Sequence, residues 1–280
     1  MKKFLAVFDG YNMATATLNY AIEVTKRTQS HLVGIFLDDP LYRSYDVVKV
    51  IKSYKDFDVK IKQLDAKDRK KRDAAVLQFK KSCNEAGIDY SVRRNKGFAL
   101  ADLKQESMFA DLMVINESET FTKYKQESPT RFLKDLLGDV QCPVLVVPDK
   151  FAPFDKVVLL YDGGPSSLYA VKMYCYLLAG SFDLPVEVLT VKDTAIDASK
   201  MPNSKLMKEF IKRHFTNPEY VVEEGNVEEK IVQHLKKNKS NEMIVLGAYR
   251  RSEISRWFKP SMADLLIKEL DKPLFIAHNK

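Results

Sequence analysis

The chain repeats itself, and that repeat limits what it can fold into. Phe4-Leu5-Ala6-Val7-Phe8-Asp9-Gly10 resembles Val157-Val158-Leu159-Leu160-Tyr161-Asp162-Gly163, at an offset of 153 residues. The run His31–Phe36 then matches Val186–Val191, and Tyr90 through Gly97 matches Tyr220 through Gly225. Asp111–Asn116 matches Glu242–Gly247 at an offset of 131. Finally, Pro129-Thr130 ahead of Cys142–Val147 matches Pro260-Ser261 ahead of Lys272–Ala277. Five matches in one order indicate a tandem duplication. The drop in offset places 22 extra residues in the first copy, between its second and third apolar runs.

Each copy alternates short, continuous Val/Ile/Leu/Phe runs with longer stretches of helical period. Continuous runs suit strands covered on both faces, hence a parallel sheet with helices on either side. Strands are predicted near 3–8, 31–37, 89–94, 111–116 and 143–147, then 156–161, 185–191, 219–224, 242–247 and 273–277. Helices are predicted over 13–29, 66–86, 99–109 and 130–140, then 166–180, 203–215, 227–239 and 261–270. Gly87 fits a left-handed cap ending the second helix. The fold class is α/β: two tandem doubly wound, mostly parallel five-stranded sheets, in domains 1–148 and 155–280. The stretch 148–155, with Pro148 and Pro153, reads as a stiff connector.

The extra segment lies near 40–65. Tyr42, Tyr45, Tyr54 and Phe57 alternate there with Lys49, Lys52, Lys55, Lys60 and Lys62. Two readings stand: a lid or interaction arm, its aromatic and basic residues interleaved as in nucleic-acid binders, or an amphipathic helix or hairpin packing Val47, Val48, Ile51 and Tyr54 on the body. Lys67, Arg69, Lys70, Lys71 and Arg72 follow, with Asp65, Asp68 and Asp73, and read as a solvated helix face. Net charge is +7 with a pI near 9.0. The excess is spread over both halves and identifies no partner. No apolar run approaches the ~18–20 residues of a membrane span, and the apolar N-terminal run is shorter than the ~7–15 of a signal sequence. A cytoplasmic protein without a membrane partner is expected. Cys83, Cys142 and Cys175 are far apart and read as buried hydrophobes. His31, His214, His234 and His278 show no metal-ligand spacing, so no metal site is expected. No Gly-x-Ser-x-Gly, phosphate-loop or dinucleotide fingerprint is present, and no catalytic residue is assigned.

Parallel sheets bind ligands beyond the carboxyl ends of their strands. Asp9-Gly10, Asn116, Asp162-Gly163-Gly164 and Gly247 fall there. Asp and Asn at such places also serve as ordinary turn and cap residues.

On these residues the chain resembles the universal stress protein family, as a tandem member. The resemblance rests on the strand ending in Asp-Gly, on Gly97 and Gly225 before helices, on Asp111–Ile115, and above all on Cys142-Pro143-Val144-Leu145-Val146-Val147. It implies an adenine nucleotide alpha hydrolase-like fold. It also implies a non-enzymatic stress-response factor that binds a partner or small ligand. Two domains forming a pseudo-dimer through their last strands are implied as well, with a homodimer of chains left open. Nucleotide-binding members carry a Gly-x2-Gly-x9-Gly-(Ser/Thr) loop after the fourth strand. Here its positions are Gly247, Arg250, Pro260 and Ser261 in the second copy, and Asn116, Glu119, Pro129 and Thr130 in the first.

Spacing and hydroxyls survive, but one glycine of six remains. A non-glycine residue forced left-handed costs roughly 1–2 kcal/mol. A proline removes an N–H whose bond to a charged group is worth about 1.5–3 kcal/mol. One of each weakens binding by ~60-fold to several-thousand-fold. Arg250, Arg251 and Arg256 could clamp an anion in place of the lost amides. The resemblance therefore points to Asp162, Gly163, Gly247, Arg250 and Ser261 as a weak site for ATP or another anion. Asp9, Asn116 and Thr130 are lesser candidates, and the Pro-Ser and Pro-Thr pairs also suit plain helix starts. Two other readings stay open: an ATP-binding or ATP-hydrolysing enzyme working through the second domain, and a nucleic-acid binder using the basic segment of the first.

Overall fold

The computed structural model describes residues 1–11, 13–37, 43–95, 97–122, 124–192, 201–238, 240–247 and 261–278. The chain folds as two compact units, Met1–Gln141 and Cys142–Lys280. The first contains β1 (Lys3–Phe8), α1 (Thr15–Thr28), β2 (His31–Leu37), α2 (Val47–Ser53), α3 (Phe57–Ala86), β3 (Asp89–Asn95), α4 (Ala99–Ser107), β4 (Leu112–Asn116) and α5 (Arg131–Asp139). The second contains β5 (Val144–Val147), β6 (Lys156–Leu160), α6 (Pro165–Leu177), β7 (Val186–Lys192), α7 (Ser204–Ile211), β8 (Glu219–Glu224), α8 (Val227–Lys237), β9 (Glu242–Gly247), α9 (Met262–Glu269) and β10 (Leu274–Ala277).

Both repeats supply five strands, and the sheets are mostly parallel, as their apolar runs predict. In the first unit the strand order is β3-β2-β1-β4, all parallel. In the second it is β8-β7-β6-β9-β10-β5. Its one antiparallel pair joins the last strands of the two repeats, with Leu274 opposite Val146, Phe275 opposite Leu145 and Ile276 opposite Val144. Strand β5 therefore lies with the second unit, although it is the last strand of the first repeat.

The central strands are buried on both faces. Phe4, Leu5, Ala6, Val7 and Phe8 are each at most 1% exposed. Edge strand β3, Asp-Tyr-Ser-Val-Arg-Arg-Asn, instead alternates between covered and exposed residues, because only one face meets a helix. That helix is α3. Its Phe79 packs edge-on against Phe8, Phe36 and Tyr90 at 5.7–5.8 Å between ring centres. Gly34 of β2 makes room for it: a Cβ there would meet the Phe79 ring at 2.7 Å.

Helix α3 begins at Phe57, earlier than the sequence period places it, and continues through the extra segment to Ala86. Gly87 ends it in the left-handed conformation (φ +65°), with its N–H on Asn84 and that of Ile88 on Cys83. The packing expected of the segment is only partly realised. Val50 is buried, but Val48, Ile51 and Tyr54 are 59%, 47% and 48% exposed. A seven-residue helix has one narrow inner stripe, and Val50 lies on it. Lys67, Arg69, Lys70 and Lys71 are exposed as expected of a solvated face, whereas Arg72 and Asp68 point inward and are buried. Tyr42 lies outside the described residues.

In the second unit the buried carboxylates are paired. Glu187 receives Lys156 at 2.5 Å and His234 at 2.6 Å, and Lys272 reaches Glu242 at 2.7 Å. Pairing of this kind is what makes a buried charge tolerable.

Gly34→Ala should test the α3 packing. The added methyl forces Phe79 off its site, and urea denaturation should show a loss of about 1–3 kcal/mol.

Candidate functional site

In each unit the chain winds outward from its first strand and then returns to that strand's other side. The reversal opens a crevice at the carboxyl ends of β1 and β4, and of β6 and β9. Asp9 and Gly10 leave β1 while Asn116 ends β4, and Asp162 and Gly163 leave β6 while Gly247 ends β9. The topology thus brings Asp9, Gly10, Asn116, Asp162, Gly163 and Gly247 to these two places.

Their polar atoms are largely engaged in holding the local backbone. Asp9 Oδ1 accepts from the Tyr11 N–H at 2.8 Å. Asn116 Oδ1 accepts from the N–H and hydroxyl of Ser118. Thr130 caps α5, accepting from the Leu133 N–H and donating to the Glu119 carbonyl. Ser261 caps α9 in a reciprocal box with Asp264. Asp162 Oδ1 accepts from the Gly164 N–H at 2.7 Å and from the Ser167 hydroxyl at 2.5 Å. Turn and cap chemistry accounts for each of these contacts. Arg250, Arg251, Arg256 and Pro260 lie outside the described residues.

Gly247 has a strict steric role. A Cβ there would fall 2.5 Å from the Ser166 carbonyl and 2.6 Å from its Oγ. The N-terminus of α6 rests directly on this glycine. Gly163 is left-handed (φ +84°), and a Cβ on it would lie 2.5 Å from Pro202. Beside Gly247, the enclosed Ser166 hydroxyl has no hydrogen-bond partner among the described residues. The same close packing shuts this hydroxyl away from solvent.

The first unit differs. Glu119, the second position of the loop pattern, turns its carboxylate back on its own loop. Oε1 accepts from the Thr120 N–H at 3.0 Å and the Phe121 N–H at 3.2 Å. The residue is half-buried, and its carboxyl is the enclosed part. Desolvation first, and the nearby Asp9 charge second, push its pKa up to about 8. On the other side of β1, Arg72 of α3 donates to the Leu37 carbonyl at 3.1 Å and to the Tyr11 phenol at 2.7 Å. Its guanidinium also stacks 4.2 Å from the Tyr11 ring centre. The phenol donates in turn to Asp68, which also accepts the N–H and hydroxyl of Ser44. Burial raises the Tyr11 pKa, which keeps the phenol a donor. Sequence reasoning missed this group, because a lone buried Arg within a basic run carries no local signal.

Residues 153–278 match the Universal stress protein family. No curated protein matches the chain. Among solved structures, a universal stress protein from Archaeoglobus fulgidus is 14% identical with a TM-score of 0.66, covering 99% of this chain and 98% of its own. One described as a putative universal stress protein, from Pseudomonas aeruginosa, is 15% identical with a TM-score of 0.65, covering 99% and 92%. The cytoplasmic domain of a prokaryotic cation chloride cotransporter is 11% identical with a TM-score of 0.54, covering 99% and 95%. At such identities the likeness is one of fold.

Glu119 binds its proton more tightly in the folded chain than at the ordinary glutamate value of 4.5. Its contribution to stability is therefore fully present below pH ~4.5 and lost as pH rises through ~8. Glu119→Gln should flatten that fall and raise the melting temperature at pH 9 by about 2–5 °C, read by scanning calorimetry. Equal profiles for the two proteins would refute the assignment.

Proposed function

We propose that this protein, whose residues 153–278 match the Universal stress protein family, is a stress-response factor that acts by binding, not turnover. Its ligand site is the crevice of the second unit, at the carboxyl ends of β6 and β9. The ligand is a nucleotide or another small anion, held weakly by Asp162, Gly163, Ser166, Gly247 and Ser261, with Arg250 of the same loop pattern as a further candidate. The observation that carries this reading is the Ser166 hydroxyl, enclosed beside Gly247 without a partner among the described residues. A ligand that enters as this packing opens supplies the missing bond. The erosion of the glycine pattern at Arg250 and Pro260 supports weak binding, since two of the three glycines are absent. Association of the two repeats as a pseudo-dimer, further association into a homodimer, and a cytoplasmic setting belong to the same reading. No helix among the described residues is long and apolar enough to cross a membrane.

Titration calorimetry with ATP, with and without Mg²⁺, tests this. One weak site per chain is expected, with no phosphate released. Ser166→Ala should weaken binding about 2–12-fold, the value of one hydrogen bond. The same substitution removes a buried, unpaired hydroxyl, so it should leave the ligand-free protein as stable or more stable. No heat at about 10 mM ATP or inorganic phosphate would overturn the reading. Steady phosphate release would favour the enzyme.

A further inference from the structure

Helix α3 is longer than the strands it covers. It runs antiparallel to them, from Arg72 at the last carbonyl of β2, through Phe79 over Gly34, to Gly87 ahead of β3. Residues 57–71 therefore lie beyond the carboxyl end of β2, a projection of about 22 Å at 1.5 Å per residue. Helix α2 packs against α3, and the Lys60 ammonium of α3 sits 5.2 Å from the centre of the Tyr54 ring at the end of α2. The second repeat lacks this segment, so the arm belongs to the first unit alone.

The outer surface of the arm has an order that its buried side does not require. Val47-Val48-Lys49-Val50-Ile51-Lys52-Ser53-Tyr54-Lys55 places a lysine at every third position, each directly after an exposed apolar residue. Val48, Ile51 and Tyr54 form one row and Lys49, Lys52 and Lys55 the next, all of them exposed. Val59, beside the lysine that covers Tyr54, is exposed as well. Apolar side chains gathered in this way mark a surface that something covers.

The charges select the occupant. Residues 46–62 hold five lysines, no arginine and three aspartates. Asp46 caps α2 by accepting the Lys49 N–H, and Asp56 and Asp58 stand at the start of α3, where the helix dipole favours them. Protein interfaces are enriched in arginine and depleted in lysine. A second copy docked through the same face would set lysine rows against each other. Single-stranded nucleic acid takes stacking aromatics, whereas Val48, Ile51 and Val59 are aliphatic. Anionic headgroups fit both rows, because the apolar row enters the headgroup boundary while the ammonium groups stay among the headgroup charges.

We propose that the α2–α3 arm of the first unit docks on a lipid surface rich in anionic headgroups, with Val48, Ile51 and Tyr54 inserted and Lys49, Lys52 and Lys55 flanking them. Five lysines against three aspartates leave +2, so attachment is weak, reversible and salt-dependent. The sequence expectation of no membrane partner rests on spanning length, which a surface-bound helix does not need. The inference is independent of ligand binding by the second unit.

Co-sedimentation of the full chain with vesicles tests this. Binding is expected to phosphatidylcholine vesicles containing on the order of one-third phosphatidylserine, and not to phosphatidylcholine alone. It should weaken as salt is raised. Lys49→Gln, Lys52→Gln and Lys55→Gln together should lower the partition coefficient by about tenfold or more. Val48→Ser with Ile51→Ser keeps every lysine and should lower it about tenfold. Hydrogen exchange of the unsubstituted protein should show residues 47–55 gaining protection with the anionic vesicles only, a readout that does not depend on how the variants fold. No binding to the anionic vesicles, equal binding to both kinds, or unchanged binding by the serine variant would overturn the proposal. An oligonucleotide that protects residues 47–55 without vesicle binding would assign the arm to nucleic acid instead. A dimer lost in the serine variant, again without vesicle binding, would assign it to a second copy.

Discussion

Strands β1 and β6 each lie between two parallel neighbours and are covered on both faces. A parallel pair cannot be closed by a short turn, so each strand must be followed by a crossover that packs back onto the sheet. That requirement explains the continuous apolar strands, the helices between them and the placement of each strand-to-helix loop at a strand's carboxyl end. It also creates the crevices, because the chain reverses direction on either side of the central strand. The candidate sites follow from this arrangement without any ligand to shape them.

The same geometry leaves backbone N–H groups at helix starts that need partners. Thr130, Ser261, Asn226 and Asp46 meet that need by capping their helices. Asp9, Asn116 and Asp162 do similar work in the turns. Residue types that suggest ligand binding in a sequence are therefore largely satisfied here by the chain itself. Among the described residues of the crevices, Ser166 is the exception. Its hydroxyl is enclosed by close packing on Gly247, which is why the glycine and the orphaned hydroxyl belong to one site.

The extra segment breaks the symmetry between the repeats. It lengthens α3, and the inner face of that helix carries Phe79 to the sheet and Arg72 and Asp68 to the rim of the first crevice. A buried, paired charge near a loop is more costly to disturb than a surface one. The segment's outer side leaves Val48, Ile51 and Tyr54 largely in solvent.

The sequence by itself determined the duplication, the order and type of the elements outside the extra segment, the Gly87 cap and the positions at which Asp9, Asn116, Asp162 and Gly247 converge. These depend on period, apolar runs and residues with special backbone freedom, all of which are local. Tertiary structure decided what each side chain does there. Only packing shows that Gly247 is required by Ser166, or that Arg72 turns inward while Lys67, Arg69, Lys70 and Lys71 face out. Pairing of β5 with β10, and the Glu119 carboxylate lying on its own loop amides, likewise depend on contacts and desolvation, which one-dimensional patterns do not encode.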